Sequence, residues 1–194
     1  ELAIEEMYGK RKEFSSKYTD KGNQVEDDGI KLCESVLDLG FMYKNEEHFT
    51  NDFLTGTPDV NTDIILDVKS SWDATTFPFF ADDIPNKDYF YQLQGYMALT
   101  GKRKSYLCYC LINTPELMVE DEVRRAHWKE NLIDESEELR NHVEAQHNFD
   151  NIPAERRIKT FEVRYDKDVV KAIYDRVKEC REYYKTLIDE NTED

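Results

Sequence analysis

The sequence predicts an α/β fold, with a mixed central sheet that helices flank on both sides. Three observations support this: an early stripe of apolar residues at helical spacing, an almost continuously apolar segment near the middle, and an alternating segment followed by a long amphipathic stretch. The 194 residues suit one ordinary core, so we expect a single domain over residues 1–194. The chain starts with Glu1 and not Met, which leaves open a truncated N-terminus.

The first predicted helix covers residues 23–39 and ends before Gly40. Its apolar stripe repeats at spacings of four and three residues. The stripe consists of Val25, Gly29, Leu32, Val36 and Leu39. Glu26 opens a second inward stripe directly beside the first. A carboxylate on the buried side of a helix needs a partner, because an unpaired buried charge is costly.

The remaining elements alternate in an order that favours a mixed sheet between helices. Strands are predicted by apolar or alternating runs bounded by turn residues, and helices by apolar residues at helical spacing. The predicted strands are 47–54, 57–69, 105–112 and 158–165. The predicted helical regions are 88–100, a broken stretch from Pro115 to Ala145, and 167–188. The run at 105–112 is so apolar that it should lie at the centre of the sheet, buried on both faces.

The charge of the chain bears on which partners it can bind. The formal net charge is −16, which opposes loose binding to nucleic acid, because such binding is usually led by Lys and Arg. A carboxylate cluster that holds divalent metal ions is itself acidic until it is loaded. Small basic groups also remain. They are Lys10–Lys12, Lys102–Lys104, Arg124–Arg125 and Arg156–Arg157.

The cysteines and the hydropathy pattern indicate a cytoplasmic protein. None of the four cysteines forms a C-x-x-C pair, and Cys108 and Cys110 point to the same face of one predicted strand. Buried, reduced thiols are the simplest interpretation. The spacing does not favour an iron–sulfur cluster. No apolar run is long enough to cross a membrane, so we expect no membrane partner.

Two acidic residues and a lysine form the strongest chemical signal in the sequence. Asp59 precedes a tight turn, and Asp67 and Lys69 share one face of the strand that follows, because strand side chains alternate. If the two segments pair as a hairpin, Asp59 comes close to Asp67. Two carboxylates at that range repel each other unless a cation lies between them. Mg²⁺ prefers such oxygen ligands.

These residues carry a resemblance to a known family. Pro58-Asp59 followed by Asp67-Val68-Lys69 resembles the signature of the PD-(D/E)XK nuclease superfamily. Gly22 with Glu26, and the segment Tyr91–Tyr96, resemble its phage lambda exonuclease-like (YqaJ-type) and RecB-like branch. The resemblance spans roughly residues 20–190 and implies a restriction-endonuclease-like core.

The resemblance also implies roles for individual residues. Asp59, Asp67 and Glu26 would bind Mg²⁺ or Mn²⁺, as a pair of ions, with the backbone carbonyl of Val68 as a further ligand. Lys69 would orient the water that attacks phosphorus, and the metal would activate that water. Gln92 and Tyr96 would line the site and contact the phosphate or a metal-bound water. The catalytic set would thus be Glu26, Asp59, Asp67, Lys69 and Gln92.

The implied function is a metal-dependent DNA exonuclease of phage-type recombination or repair, acting in a bacterial or phage-infected host cell. DNA is the expected partner, a single-strand annealing protein is a candidate partner, and a homo-oligomer is a candidate assembly. Two alternatives remain open: an endonuclease on the same core, and a catalytically silent module that binds DNA or a protein. The net charge favours the silent module, whereas the complete set of four residues opposes it.

Several residues have a simpler structural interpretation beside the functional one. Lys102, Arg103 and Lys104 are assigned to the DNA backbone, with a solvated loop as the alternative. Gln94 is equally consistent with a surface position, and Tyr96 with the core. Trp72 and Trp128 more often pack in a core or groove than stack on bases. His142 and His147 are expected to be exposed on a charged helix.

Overall fold

The computed structural model describes residues 2–13, 15–132 and 134–192. Within these residues three strands of two residues each and three longer strands are interspersed with helices. The helices are α1 (Leu2–Tyr8), α2 (Lys17–Val36), α3 (Lys87–Thr100), α4 (Glu116–Lys129), α5 (Glu137–His147) and α6 (Lys167–Thr192). The strands are β1 (Phe49–Thr50), β2 (Thr55–Gly56), β3 (Val60–Asn61), β4 (Ile65–Ser70), β5 (Lys104–Cys110) and β6 (Ile158–Arg164).

The main sheet has four strands in the order β3-β4-β5-β6, and it is mixed. Strand β3 pairs with β4 in antiparallel fashion, β4 with β5 in parallel, and β5 with β6 in antiparallel fashion. The parallel pair is connected through α3, as a parallel connection requires a crossover. Strands β1 and β2 form a separate two-stranded ribbon. The predicted mixed sheet flanked by helices is confirmed.

Two apolar layers lie on the two faces of this sheet. Leu66 and Val68 of β4 pack on one face, in a cluster with α2 residues. Ile65, on the other face of β4, packs with Leu93 and Met97 of α3. Asp67 shares the face of Ile65, because side chains alternate along a strand. The alternation predicted for this strand is therefore confirmed, and it directs the acid toward the α3 side.

The helices around the core match the predictions in kind, with shifts at some ends. Helix α3 ends before Gly101, whose φ of 74° is the left-handed conformation that favours glycine at a helix end. Helix α2 begins at Lys17, six residues before its predicted start, because Ser16 and Thr19 form a capping box there. It ends at Val36, earlier than predicted. Among the helices of the described segments, none combines the length and apolar character needed to cross a membrane.

The predicted long strands at 47–54 and 57–69 are wrong in extent. The structure breaks this region into four short pieces: β1, β2, β3 and β4. The side chain of Asn51 accepts hydrogen bonds from the backbone N–H groups of Phe53 and Leu54, which makes a turn inside the first predicted strand. Helix α1 was not predicted. None of its seven residues is buried.

Helix α2 packs so closely on β4 that Gly29 has no room for a side chain. A Cβ at Gly29 would lie 2.7 Å from Val68 Cγ1. We expect Gly29→Ala to lower the free energy of unfolding by about 1–3 kcal/mol, the usual cost of overpacking a core. Urea denaturation monitored by circular dichroism would measure it. An unchanged denaturation midpoint would contradict the close contact between α2 and β4.

Candidate active site

The β3–β4 hairpin places the two aspartates of the motif side by side. Val60 pairs with Leu66 in the antiparallel register, so Asp59 lies across from Asp67 at the next position. Asp59 Oδ2 accepts a hydrogen bond of 2.7 Å from the backbone N–H of Val68. This bond fixes the Asp59 carboxylate against β4. The hairpin expected from the sequence therefore forms and brings these carboxylates together.

Asp67 is the most deeply buried carboxylate of the site. Only 1% of it is exposed. Its Oδ2 lies 2.5 Å from Lys69 Nζ, and within the described residues its Oδ1 has no hydrogen-bond partner. An unpaired buried carboxylate oxygen is expensive, so its presence indicates a ligand that is a cation or a hydrogen-bond donor.

The electrostatics of the pair follow from burial and mutual repulsion. The pKa of Asp59 is raised to about 7, first by burial and then by the negative charge of Asp67. The hydrogen bond from Val68 and the charge of Lys69 oppose this rise. Burial likewise raises the pKa of Asp67, which Lys69 opposes and the charge of Glu26 supports. Near neutral pH the site is thus poised between protonation and the binding of a cation.

Lys69 keeps its charge in this environment. Burial alone would lower the pKa of Lys69, but the adjacent charge of Asp67 and the nearby charge of Asp59 outweigh burial and raise it. Its Nζ also lies 4.9 Å from the centroid of the Tyr89 ring, a cation–π contact that holds the ammonium in place. Lys69 is therefore an ammonium donor at neutral pH rather than a base.

Glu26 lies on α2 and faces the same cleft. Its side chain is 23% exposed, and its Oε1 lies 3.3 Å from Lys44 Nζ. The charge of Glu26 contributes to the raised pKa values of Asp59 and Asp67. Glu26 was expected to face inward, and the structure places its side chain in a half-buried position. Its partner Lys44 comes from the loop between α2 and β1 and carries no motif from which the sequence could have identified it.

Gln92 and Tyr96 join the site from α3. They lie four residues apart on one face of the helix, and Gln92 Nε2 donates a hydrogen bond of 2.9 Å to Tyr96 Oη. The pKa of Tyr96 is raised, first by burial and then by the charge of Asp67. A Cβ on Gly56 would lie 2.6 Å from Tyr96 Cε1, so the bare glycine is what lets this ring pack against β2.

An open cleft of about 450 Å³ lies beside these groups. Five of the predicted site residues line it: Glu26, Asp59, Val68, Lys69 and Gln92. Asp67 and Tyr96 are not among its lining residues. The wall continues along α2 and along the end of β4 with the segment that follows it, and α3 and β5 each add one tyrosine. These further lining residues are Tyr18, Thr19, Gly22, Asn23, Ser70, Ser71, Trp72, Thr76, Tyr89 and Tyr109. The cleft has the size of a small-ligand site.

The expected convergence of three carboxylates is only partly realised. No group of three or more His, Cys, Asp or Glu side chains within residues 2–13, 15–132 and 134–192 is arranged to hold a metal ion. Two of the carboxylates instead have ammonium partners, since Lys69 contacts Asp67 and Lys44 contacts Glu26. The Asp59–Asp67 pair nevertheless fits a divalent cation, since Mg²⁺ is typically held by one or two carboxylates. The unpaired Oδ1 of Asp67 supports that fit.

The basic cluster at 102–104 does not reach the cleft. It lies at the start of β5, at the end of the β4–β5 pair opposite Lys69. Lys102 donates to the backbone carbonyl of Thr62, and Arg103 stacks over the ring of Tyr165 at 4.4 Å. Lys104 forms an ion pair with Glu162. All three cations have intramolecular partners, so their assignment to the DNA backbone remains a prediction that the cleft does not support.

Other expectations meet mixed outcomes. Gln94 is fully buried and bonds the chain around Arg164 and Asp166, so the surface interpretation is wrong. His147 is buried and shares a hydrogen bond of 3.0 Å with Thr114, whereas exposure was expected. Trp128 is 83% exposed, so core packing is wrong for it.

The remaining tryptophan and the cysteines lie mostly in the core. Trp72 is buried, as expected. Cys33, Cys108 and Cys110 are buried free thiols, and Cys33 Sγ lies 3.5 Å from Cys110 Sγ. Cys180 is free but exposed, which corrects the expectation of burial for all four.

Among the solved structures that this chain resembles in fold are exonucleases. A phage-related exonuclease from Haemophilus somnus 129PT is similar over 97% of this chain and 80% of that chain, at 30% identity and a TM-score of 0.77. An alkaline exonuclease from Laribacter hongkongensis covers 97% of this chain with 78% of its own, at 12% identity and a TM-score of 0.62. The same exonuclease in complex with dAMP gives 14% identity and a TM-score of 0.61. No family model and no curated protein matches the sequence.

The fold is therefore that of the PD-(D/E)XK nucleases, with the restriction-endonuclease-like core expected from the motif. The chain belongs to the family of phage-related exonucleases, within the lambda exonuclease-like branch of that superfamily.

Proposed function

We propose that this protein is a metal-dependent exonuclease that hydrolyses phosphodiester bonds at the ends of DNA. One observation carries the proposal: Asp67, buried and with an unpaired oxygen, lies beside Asp59 and a charged lysine, and Asp59 and that lysine, Lys69, line an open cleft. The family supports it, since the relative at 30% identity is described as a phage-related exonuclease. The complex of a second relative with dAMP supports a nucleotide-sized ligand in this fold.

Lys69 and Gln92 would act on the attacking water and the phosphate. Because Lys69 stays protonated, it serves as a hydrogen-bond donor that orients a water molecule and stabilises negative charge on the phosphate. Gln92 lines the cleft and can present its amide to the same phosphate, while its bond to Tyr96 fixes its rotamer. These three side chains supply positioning and charge stabilisation without changing their own protonation.

Asp59 and Asp67 would hold Mg²⁺ or Mn²⁺, with Glu26 and the backbone carbonyl of Val68 as the further ligands of a two-ion site. A divalent ion in such a site lowers the pKa of bound water and stabilises charge on the leaving oxygen. The chain prepares this site by fixing Asp59 on the Val68 N–H and by burying Asp67. In the protein alone, Glu26 forms an ion pair with Lys44 and Asp67 forms one with Lys69. Each carboxylate can therefore exchange its lysine partner for a bound metal ion.

The strong acidity of the chain fits this dependence. At a net charge of −16 the body repels DNA, so productive contact has to be concentrated at the cleft. Divalent ions there would remove part of the local repulsion. The net charge of −16 argues against a general nucleic-acid binder. It is consistent with an enzyme that binds the ends of DNA in its cleft and binds internal duplex DNA only weakly.

Cleavage of linear and closed circular duplex DNA tests the proposal directly. We expect linear DNA to be degraded with Mg²⁺ or Mn²⁺, and no degradation with EDTA. Closed circles should survive all three conditions. Gel electrophoresis over time measures each outcome, and Asp67→Asn, which keeps the side-chain shape, is the matched inactive control.

The other outcomes identify the alternatives. Nicking or cutting of circles would show an endonuclease on the same core. Wild-type protein that cuts neither substrate with any metal would show a catalytically silent module and would overturn the proposal. Equal cutting with and without EDTA would overturn the dependence on metal.

The biological setting that we propose is phage-type recombination or repair in the cytoplasm of a bacterial or phage-infected cell. The description of the Haemophilus somnus relative as phage-related supports this setting. A single-strand annealing protein is the partner that such an exonuclease would serve, and a homo-oligomer is the assembly that we propose. Light scattering of the purified protein measures the assembly, and a monomer at micromolar concentration would contradict it.

A further inference from the structure

The cleft extends well beyond the acidic residues, along one face of α2. Tyr18, Gly22 and Glu26 lie four residues apart, so they stack along a single stripe of the helix, and all three line the cleft. Two helical turns separate Tyr18 from Glu26, a span of about 12 Å. One wall of the cleft is therefore a helix face that has an aromatic ring at one end and a carboxylate at the other.

Tyr18 presents an exposed ring at the outer end of this face. The residue is 56% exposed, although it lies beside a buried tryptophan. Its ring meets Trp72 edge-on, at a centroid distance of 5.8 Å and an interplanar angle of 74°. This contact fixes the ring from one side and leaves much of the residue accessible. An exposed aromatic ring held by a buried one is suited to stacking on a planar ligand.

Gly22 lies between Tyr18 and Glu26, and packing does not explain it. A Cβ at Gly22 would meet no atom within 4 Å, and the residue lies inside a long helix without a positive φ. Glycine in a helix interior is less stable than alanine. Gly29, further along α2, is different, because its Cβ would collide with Val68. The absent side chain at Gly22 thus leaves open space in the cleft and stabilises nothing in the protein alone.

We propose that this face of α2 is a nucleotide-binding ledge, on which Tyr18 stacks against a base of the substrate strand and Gly22 admits its sugar–phosphate backbone. The inference rests on the proposed nuclease function, which supplies the nucleic acid. It goes beyond that function because it assigns a base-stacking residue and a backbone-approach residue outside the catalytic set. Glu26 marks the inner end of the ledge, so the strand bound there is the strand being cut.

Tyr18 can be tested with substrates that lack the base. Duplex DNA is prepared with an abasic nucleotide at the first, second or third position from an end, and cleavage rates are compared for wild type and Tyr18→Ala. Loss of one base–aromatic stack corresponds to about 5- to 150-fold. We expect wild type to slow by such a factor at one abasic position. Tyr18→Ala should slow similarly on normal DNA and show no further loss at that position, while Tyr18→Phe stays near wild type.

Two results would overturn the role of Tyr18. One is Tyr18→Ala slowing normal and abasic ends by the same factor. The other is normal cleavage by Tyr18→Ala. If wild type does not cut DNA at all, the proposed function fails separately. The ledge is then tested by fluorescence anisotropy with the same oligonucleotides, where Tyr18→Ala should weaken binding to normal ends alone, and equal binding by both proteins would contradict it.

Gly22 gives an independent test in which stability and activity move in opposite directions. Gly22→Ala should raise Tm by roughly 1–4 °C, because the helix gains and nothing clashes. Cleavage should fall at least tenfold through a higher KM. Gly95→Ala on α3 is the matched control, since its Cβ would make only an ordinary 3.6 Å contact with Leu54; it should keep wild-type cleavage. A Gly22→Ala variant with unchanged cleavage, or with a lowered Tm, would overturn the ledge.

Discussion

Replacing Lys69 by methionine should reduce DNA cleavage by about 100- to 1,000-fold, while binding to DNA ends changes little. Loss of one donor that stabilises charge in a hydrolytic site typically has this effect. Methionine retains most of the length of the side chain, so its packing near Tyr89 is preserved. The ammonium, which the structure places 2.5 Å from Asp67, is the group removed. Single-turnover kinetics with an end-labelled duplex measures the change in the cleavage step.

A second effect of this substitution has to be separated from the first. Lys69 is the cation that opposes the raised pKa of Asp67, so the variant will hold a proton on that carboxyl more tightly. Rates should therefore be compared at pH 7 and pH 9, because a higher pH favours the charged form of Asp67 but cannot restore the ammonium. Lys171→Met, an exposed lysine paired with Asp175, is the control and should cut normally. Recovery of the Lys69 variant to wild-type rate at pH 9 would show that the lysine only tunes Asp67.

The sequence predicts this part of the site well because local rules determine it. Strand alternation sets Asp67 and Lys69 on one face, and the short turn before β4 returns Asp59 to the same place. Helical spacing likewise brings Gln92 to Tyr96. Each relation spans at most ten residues. Contacts of that range depend on backbone period and turn length, which the sequence shows directly.

Long-range partners could not be predicted in the same way. Lys44 reaches Glu26 from an irregular loop, and the burial of His147 depends on where α5 ends against Thr114 and Trp72. No periodic pattern or motif in the sequence indicates either contact. Gln94 resembles a surface residue on an amphipathic helix, yet its amide joins the chain at Arg164 and Asp166. Such positions are decided by tertiary packing, which overrides local pattern.

The metal-free protein should lose stability as the pH rises, and the raised pKa of Asp59 is one cause. The pKa of Asp59 is about 7 in the folded state, compared with an ordinary value of 3.8. Between these values the folded protein keeps a proton that the unfolded chain has released, so raising the pH favours unfolding. The penalty is absent below about pH 4 and complete above about pH 7. One unit of pKa is worth about 1.4 kcal/mol, so the carboxylate costs on the order of a few kcal/mol at neutral pH.

Differential scanning fluorimetry between pH 4.5 and 8 in EDTA measures this penalty. We expect ionisation of Asp59 to lower the Tm of wild type by roughly 5–10 °C over that range. The reason is that about 1 kcal/mol shifts Tm by about 2–4 °C in a chain of this size. Asp59→Asn keeps the acceptor for the Val68 N–H but removes the charge. Its Tm at pH 8 should exceed that of wild type, and its dependence on pH should be flatter.

The effect of Mg²⁺ on Tm then shows whether the two aspartates bind a metal ion or are only a buried, mutually repelling pair. A cation that binds the folded protein and not the unfolded chain stabilises the fold increasingly as its concentration rises above its Kd, so millimolar Mg²⁺ should raise the Tm of wild type at pH 8 and leave that of Asp59→Asn nearly unchanged. Asp63→Asn removes an exposed carboxylate from the same hairpin turn and serves as the control, with both the pH dependence and the response to Mg²⁺ retained. If Mg²⁺ stabilises wild type and Asp59→Asn equally, the ion binds elsewhere. In that case the raised pKa of Asp59 reflects burial and the charge of Asp67 without a role in binding metal.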